Sequence, residues 1–349
     1  MTKCGIIDTP AFMETRKNLS LSAELAERKG SHIDLAPMSQ TSGDGRDSRF
    51  HYEPMFFVHP TPEEIWETNF LSKALNYPLW ISSMTGGTEK AALINRNLGT
   101  LAGKYKLGMG LGSCRPLLHS KSRLSEFTIR NFMGDQPLLA NLGIAQVEEC
   151  VLAGKVELIH EMVKMTEASG LMIHLNPLQE WLQPEGDRYT LSPLETLKRF
   201  LDDVSYPVLV KEVGQGMGPR SLKALLNLPI HGIEFGAFGG TNFTKLESLR
   251  ARDTESKEPF IHVGHTAHEM VEVLNALPVG KKEFIISGGI KNVLDGYELK
   301  MKMKAPSLIG MASPFLAPAM ESFETLEKYF LNLREALLTA KGVLSVKGE

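Results

Sequence analysis

Leu171-Met172-Ile173-His174-Leu175-Asn176-Pro177-Leu178-Gln179-Glu180-Trp181-Leu182-Gln183-Pro184-Glu185-Gly186-Asp187-Arg188 is the stretch from which the fold can be read. It opens with a short apolar run of the kind that forms a buried strand. Residues two apart on a strand share a face, so His174 and Asn176 point the same way. Pro177 cannot extend a hydrogen-bonded ladder and stops the strand. Two amides and a carboxylate follow, then a polar loop containing Pro and Gly. A buried strand ending in His, Asn, Gln and Glu has the makings of one wall of a polar ligand site, the kind of wall that barrels build at strand C-terminal ends.

The same rhythm runs outward in both directions. Apolar runs at 78–82, 107–112, 138–143, 171–176, 207–213, 232–236, 283–287 and 307–310 read as strands. Helical patterns are expected at 89–105, 120–132, 146–169, 193–203, 218–227, 266–277, 291–303 and 314–340, with a long loop after the sixth strand. Buried parallel strands appear as short continuous apolar runs, as these do. Eight strand-then-helix units predict a (β/α)8 TIM barrel, in preference to a doubly wound open sheet. Before them, residues 1–75 form an N-terminal extension, and 76–349 carry the barrel. Residues 1–20 show little periodicity, a helix is expected over Ser20–Ile33, and 38–54 reads as a polar loop. That helix ends in Arg28, Lys29 and His32, where the helix dipole favours positive charge.

Composition narrows the class. A formal net charge of -3 gives no global basic field, so nucleic acid is not an expected partner. Three sparse cysteines, Cys4, Cys114 and Cys150, fit a reducing cytoplasm better than a disulfide framework. No zinc-type Cys/His spacing, signal peptide or membrane-spanning run is visible.

The strand ends gather the chemistry. They carry Ser83, Met84, Thr85, Gly86 and Gly87; Ser113 and Arg115; Asn141; His174 and Asn176; Lys211; Gly240, Thr241 and Asn242; Ser287, Gly288 and Gly289; and Gly310, Met311 and Ala312. Small-residue turns after strands seven and eight are where such barrels often hold a phosphate on backbone N–H groups. Lys211 closes a very apolar strand, so it needs a partner. That partner is either Glu212 or Glu234, or an anionic atom of a cofactor such as a reduced flavin. Cys114 has no adjacent base to activate it as a nucleophile.

Taken together, these residues resemble the type 2, flavin-dependent isopentenyl diphosphate isomerases. The resemblance runs from about residue 28 to 318. It rests on Arg28-Lys29-x-x-His32, Ser83-Met84-Thr85-Gly86-Gly87, Gly112-Ser113-x-Arg115, Asn141-Leu-Gly143, His174-Leu-Asn176-x-x-Gln179-Glu180 and Pro184-Glu185-Gly186-Asp187-Arg188. Val210-Lys211-Glu212-Val213-Gly214, Gly239-Gly240-Thr241-Asn242-Phe243, Ser287-Gly288-Gly289-Ile290 and Gly310-Met311-Ala312-x-Pro314 complete it. Cys114, Asn292–Asp295 and the lysines 300, 302 and 304 depart from the family pattern.

The resemblance implies conversion of isopentenyl diphosphate to dimethylallyl diphosphate without net redox change, using reduced FMN, NADPH as reductant and Mg2+. It implies that Ser83, Met84, Thr85, Ser113, Asn141, Lys211, Thr241, Ser287, Gly288, Gly289, Met311 and Ala312 hold FMN. Arg28, Lys29, His32, Ser113, Arg115 and Gln179 would meet the substrate. His174, Asn176, Gln179 and Lys211 would serve catalysis, and Glu180 and Glu247 would face the metal. A cytoplasmic homo-oligomer, tetramer or octamer, is the implied assembly. The competing expectations are an FMN-dependent 2-hydroxy acid oxidase, drawing on Arg250, Arg252, His262 and His265, and a non-catalytic barrel.

Overall fold

The computed structural model describes residues 27–83, 89–251 and 258–348. It comprises two compact units, divided between Ser48 and Arg49. In the first, a helix over 27–35 is followed by single 3-10 turns at Ala36–Ser39 and Gly43–Gly45. Arg28, Lys29 and His32 are all exposed on that helix, and the four-residue spacing puts Arg28 and His32 on one face.

The second unit is a closed barrel of eight parallel strands. The strands are β1 (Leu79–Ile81), β2 (Gly108–Ser113), β3 (Leu138–Gly143), β4 (Gly170–Leu175), β5 (Val208–Glu212), β6 (Gly232–Glu234), β7 (Glu283–Ser287) and β8 (Ser307–Met311). Each pairs with its neighbours in sequence, and β8 returns to β1. The expected (β/α)8 TIM barrel is the fold.

The barrel interior explains the sequence pattern. Trp80, Leu139, Met172, Leu209, Ile285 and Leu308 form a dry cluster, each from a different strand. Phe70 and Leu75 join it from a hairpin made by Thr68–Phe70 and Lys73–Leu75. Two residues further along each strand, on the same face, lie Ser82, Asn141, His174, Lys211, Ser287 and Gly310. A polar layer therefore stands directly above a dry one. The alternating glycines of β2 make room for this packing. A Cβ on Gly108 would lie 2.3 Å from the Trp80 ring, and one on Gly110 would lie 2.4 Å from Ser83 Oγ.

Several helical expectations change in detail. The region 120–132 is 3-10 turn at Lys121–Glu126 and one helical turn at Arg130–Met133. The expected helix 146–169 is two helices, Ile144–Leu152 and Glu157–Met165, parted at Gly154 with φ +63°. The C-terminal helix is also two, Ser313–Glu321 and Phe323–Val343, and Ser322 caps the second by accepting from the Thr325 N–H. The polar loop 38–54 contains a strand, Phe50–Tyr52, paired antiparallel with Leu344–Val346, and Phe50 is buried there. The loop after β6 contains the helices Phe243–Ala251 and Glu258–Ile261.

Candidate functional site

A cavity of about 250 Å³ opens at the C-terminal ends of β5 to β8 and β1. Its wall includes Ser83, Lys211, Thr241, Ser287, Gly288, Gly289, Met311 and Ala312, eight of the residues expected to hold a cofactor. Met84 and Thr85 lie outside the described residues. Ser113 and Asn141, on β2 and β3, are not on the cavity wall. Asn141 instead orients His174, and Ser113 is exposed at the end of its strand.

Left-handed glycines shape the floor. Gly288 and Gly289 have φ +87° and +72°. A Cβ on Gly288 would sit 2.2 Å from the Ala237 carbonyl oxygen. The β6 end is drawn against this turn, because the Gly236 N–H donates to Ser287 Oγ at 3.0 Å and the Ala237 N–H to Ser287 O at 2.8 Å. The nine-residue helix Ser313–Glu321 starts at the same end of the barrel, directly after Met311 and Ala312. Backbone turns and a helix N-terminus of this kind form an anion seat.

Lys211 is 8% exposed, and neither expected carboxylate pairs with it. Glu212 turns into its own loop, where one oxygen accepts from the N–H groups of Val213, Gly214, Gln215 and Gly216 at 2.6–3.1 Å. Glu234 is its cross-strand neighbour but makes no ion pair with it. Burial of the remaining polar groups is also incomplete in its compensation: Ser82 Oγ, Ser83 Oγ and Glu234 Oε2 have no hydrogen-bond partner. Orphaned polar atoms on one cavity wall are what a polar ligand would satisfy.

His174 Nδ1 lies 2.7 Å from Asn141 Oδ1, which accepts its proton in the neutral ring. Burial, and next the positive charge of Lys211, push the imidazole pKa from 6.5 down to about 3. His174 is therefore a neutral hydrogen-bonding group near pH 7 rather than a cation. Between about pH 6.5 and 3 the unfolded chain binds a proton here that the folded chain does not. Stability contributed by neutral His174 is thus intact above pH 6.5 and falls as the solution is acidified. We expect wild type to lose about 2 kcal/mol more than His174→Gln between pH 7 and 4.5. Urea unfolding at the two pH values checks this, and parallel losses would refute the burial.

A second polar group sits beside β4. Pro177 does end the strand, but it also opens a short helix, Pro177–Leu182. Asn176 Nδ2 donates to Glu180 Oε1 at 2.8 Å and to Gln179 Oε1 at 3.2 Å. Gln179 Nε2 reaches Glu247 Oε1 at 3.4 Å, from the helix Phe243–Ala251 that lies within the expected loop. Glu180 Oε2 accepts from the Asp187 N–H at 2.7 Å, and the Asp187 carboxylate holds Arg115 at 2.9 Å. One network therefore joins Arg115, Asp187, Glu180, Asn176, Gln179 and Glu247.

The Pro184–Arg188 motif is built for that network. A Cβ on Gly186 would meet the Glu180 carbonyl at 2.0 Å, so glycine lets the loop fold back onto the helix. Arg188 then gathers the carbonyls of Glu180 and Gly186, and its guanidinium lies over Trp181. Sequence reasoning singles out Asp187 within its motif without giving it a role, and misses Gln146 and Glu148 as builders of the site. Gln146 donates to Asp187 at 2.7 Å, and Glu148 accepts from Thr190 and Leu191. Nothing in the local pattern marks Gln146 and Glu148, which lie on the helix Ile144–Leu152.

Other candidates separate from the site. Cys114 is fully buried, and desolvation pushes its thiol up to about 12, which removes it as a nucleophile. Arg250 reaches the polar network only through its ion pairs with Glu247 and Glu185, while His262 and His265 are not on the cavity wall. Arg252 lies outside the described residues. Among the described residues, no group of three or more His, Cys, Asp or Glu is arranged to hold a metal. No helix among them is long and apolar enough to cross a membrane.

Fold and cavity together define a (β/α)8 barrel with its polar site at the strand C-terminal ends. No family model matches the chain. Among solved structures it is similar to a mandelate oxidase mutant with a C4a-OH-FMN adduct, at a TM-score of 0.52 and 12% identity over 82% of this chain and 83% of that one. That likeness shows the fold. Among relatives, it is 35% identical over 307 residues to the isopentenyl-diphosphate delta-isomerase of Rickettsia bellii, covering 84% of this chain and 86% of that one. It is 34% identical over 330 residues to that of Pseudescherichia vulneris, covering 90% and 92%. The chain belongs to the isopentenyl-diphosphate delta-isomerase family.

Proposed function

We propose that this protein interconverts isopentenyl diphosphate and dimethylallyl diphosphate, with FMN in the cavity and Mg2+ beside Glu180 and Glu247. The observation that carries the reading is membership of an isomerase family over most of the chain, in a barrel whose cavity has unsatisfied polar groups. The cavity suits FMN: the Gly288-Gly289 turn and the start of helix Ser313–Glu321 offer a phosphate seat, and orphaned polar atoms await a polar ring. Reduced flavin, formed at the expense of NADPH, would supply acid/base chemistry for the proton shift.

The residues of the chain divide the remaining work. Lys211 places a cation against an anionic cofactor edge. Asn176 fixes both Gln179 and Glu180, so the amide and carboxylate are presented together. Glu180 is matched by neutral donors, leaving its charge for a hard cation that keeps several waters. Arg115 holds the Asp187 carboxylate through both terminal nitrogens and keeps its remaining N–H groups for a diphosphate. The resemblance adds Arg28, Lys29 and His32 to the anion-binding set. A cytoplasmic homo-oligomer is part of the same reading.

The test is an anaerobic proton NMR time course in D2O with protein, FMN, Mg2+, catalytic NADPH and isopentenyl diphosphate. Exomethylene signals should disappear as allylic methyl signals grow, with deuterium incorporated and no stoichiometric NADPH consumption. Unchanged spectra from a folded, flavin-loaded protein would sink the isomerase reading. Reduction of bound flavin by a 2-hydroxy acid would replace it with an oxidase.

A further inference from the structure

Glu234 is a buried carboxylate with a job left undone. It is 1% exposed at the C-terminal end of β6, on the wall of the cavity. Its Oε2 has no hydrogen-bond partner. Burying a carboxylate oxygen without a donor is unfavourable, and such groups mark places where something completes them.

The backbone donors that follow it in the chain are already committed. The Phe235 N–H goes to Ile285 O, the Gly236 N–H to Ser287 Oγ and the Ala237 N–H to Ser287 O. Lys211, on the adjoining strand, is not within ion-pair distance. The missing donor is therefore expected from whatever occupies the cavity. We infer that Glu234 is a cofactor-binding residue whose carboxylate accepts a hydrogen bond from a ring N–H of the bound group. This inference rests on FMN being that group. Oxidised isoalloxazine carries a single ring N–H, at N3, flanked by two carbonyls. A carboxylate beside a lysine matches such an edge, with the acceptor for N3–H and the cation for a neighbouring carbonyl oxygen.

The pairing can be tested by changing one atom on each side. Binding of FMN and of N3-methyl-FMN, which lacks that N–H, is measured by flavin fluorescence quenching with wild type, Glu234→Ala and Glu234→Gln. Circular dichroism confirms folding. Wild type should prefer FMN about tenfold or more, because a hydrogen bond to a charged acceptor is lost with the methyl analogue. Glu234→Ala has no acceptor and space for the methyl group, so its preference should fall to about onefold. Glu234→Gln keeps an acceptor oxygen and should retain part of the preference.

Equal binding of both flavins by wild type would overturn the inference whatever the variants do. So would an undiminished preference in Glu234→Ala. A wild type that binds neither flavin would instead remove the FMN reading itself, which keeps the two failures apart.

Discussion

Replacing Lys211 by alanine is expected to lower isomerisation about 100-fold and to weaken FMN binding at the same time. The strand leading to it, Val208-Leu209-Val210, is fully buried, and the ammonium emerges directly on the cavity wall. A lysine here would be an ordinary ion-pair partner if a carboxylate held it. Glu212 is instead consumed by four loop N–H groups, and Glu234 stands apart. The charge is thus available to a ligand, in a site sheltered enough for it to act strongly. A second readout follows from His174, whose ionisation is suppressed partly by this ammonium. Its pKa should rise from about 3 in Lys211→Ala, followed by imidazole NMR. Wild-type flavin content and rate in the variant would remove Lys211 from the site. An unmoved His174 would mean the two groups do not sense one another.

The barrel is legible in the sequence because its interior follows one rule. Inward apolar residues such as Leu139, Met172, Leu209 and Ile285 are followed two positions later by a polar one, and parallel strands keep these in layers. The eight strands therefore announce both the fold and the height of the site. The helices are less legible. Gly154 and Ser322 sit inside long helical patterns, and only their backbone conformation shows that each pattern is two helices. The Phe50–Tyr52 strand reads as polar loop because its partner, Leu344–Val346, is almost 300 residues away. Pairing at that separation leaves no local trace.

The site divides in the same manner. Residues at strand ends, such as Lys211, Ser287 and Met311, can be found because topology places them. Asp187 and Glu148 act through hydrogen bonds that join separate loops and helices, which no spacing predicts. Glu234 reads in the sequence only as a partner for Lys211. Its unsatisfied oxygen is a property of the surrounding backbone, where the N–H groups of Phe235, Gly236 and Ala237 are spent on β7.

Gly288→Ala should be among the most damaging single methyls that can be added at the cavity floor. Gly288 has φ +87°, so a side chain carries a conformational cost of about 1–2 kcal/mol before any contact is considered. The contacts are worse. The new Cβ would lie 2.2 Å from the oxygen and 2.3 Å from the nitrogen of Ala237, both backbone atoms that no rotamer change can move. Relief requires the β6 end to part from Ser287, which breaks the Gly236 and Ala237 hydrogen bonds and reshapes the anion seat. We expect a stability loss of about 3 kcal/mol or more, and FMN affinity reduced about 100-fold. Gly280→Ala separates conformation from crowding, since Gly280 has φ +64° but nothing within 4 Å of its Cβ position. That control should lose about 1–2 kcal/mol and keep its flavin affinity. Urea unfolding and flavin titration on both variants decide the matter. Similar stability losses would show that β6 and β7 yield easily, and intact flavin binding by Gly288→Ala would place the phosphate elsewhere.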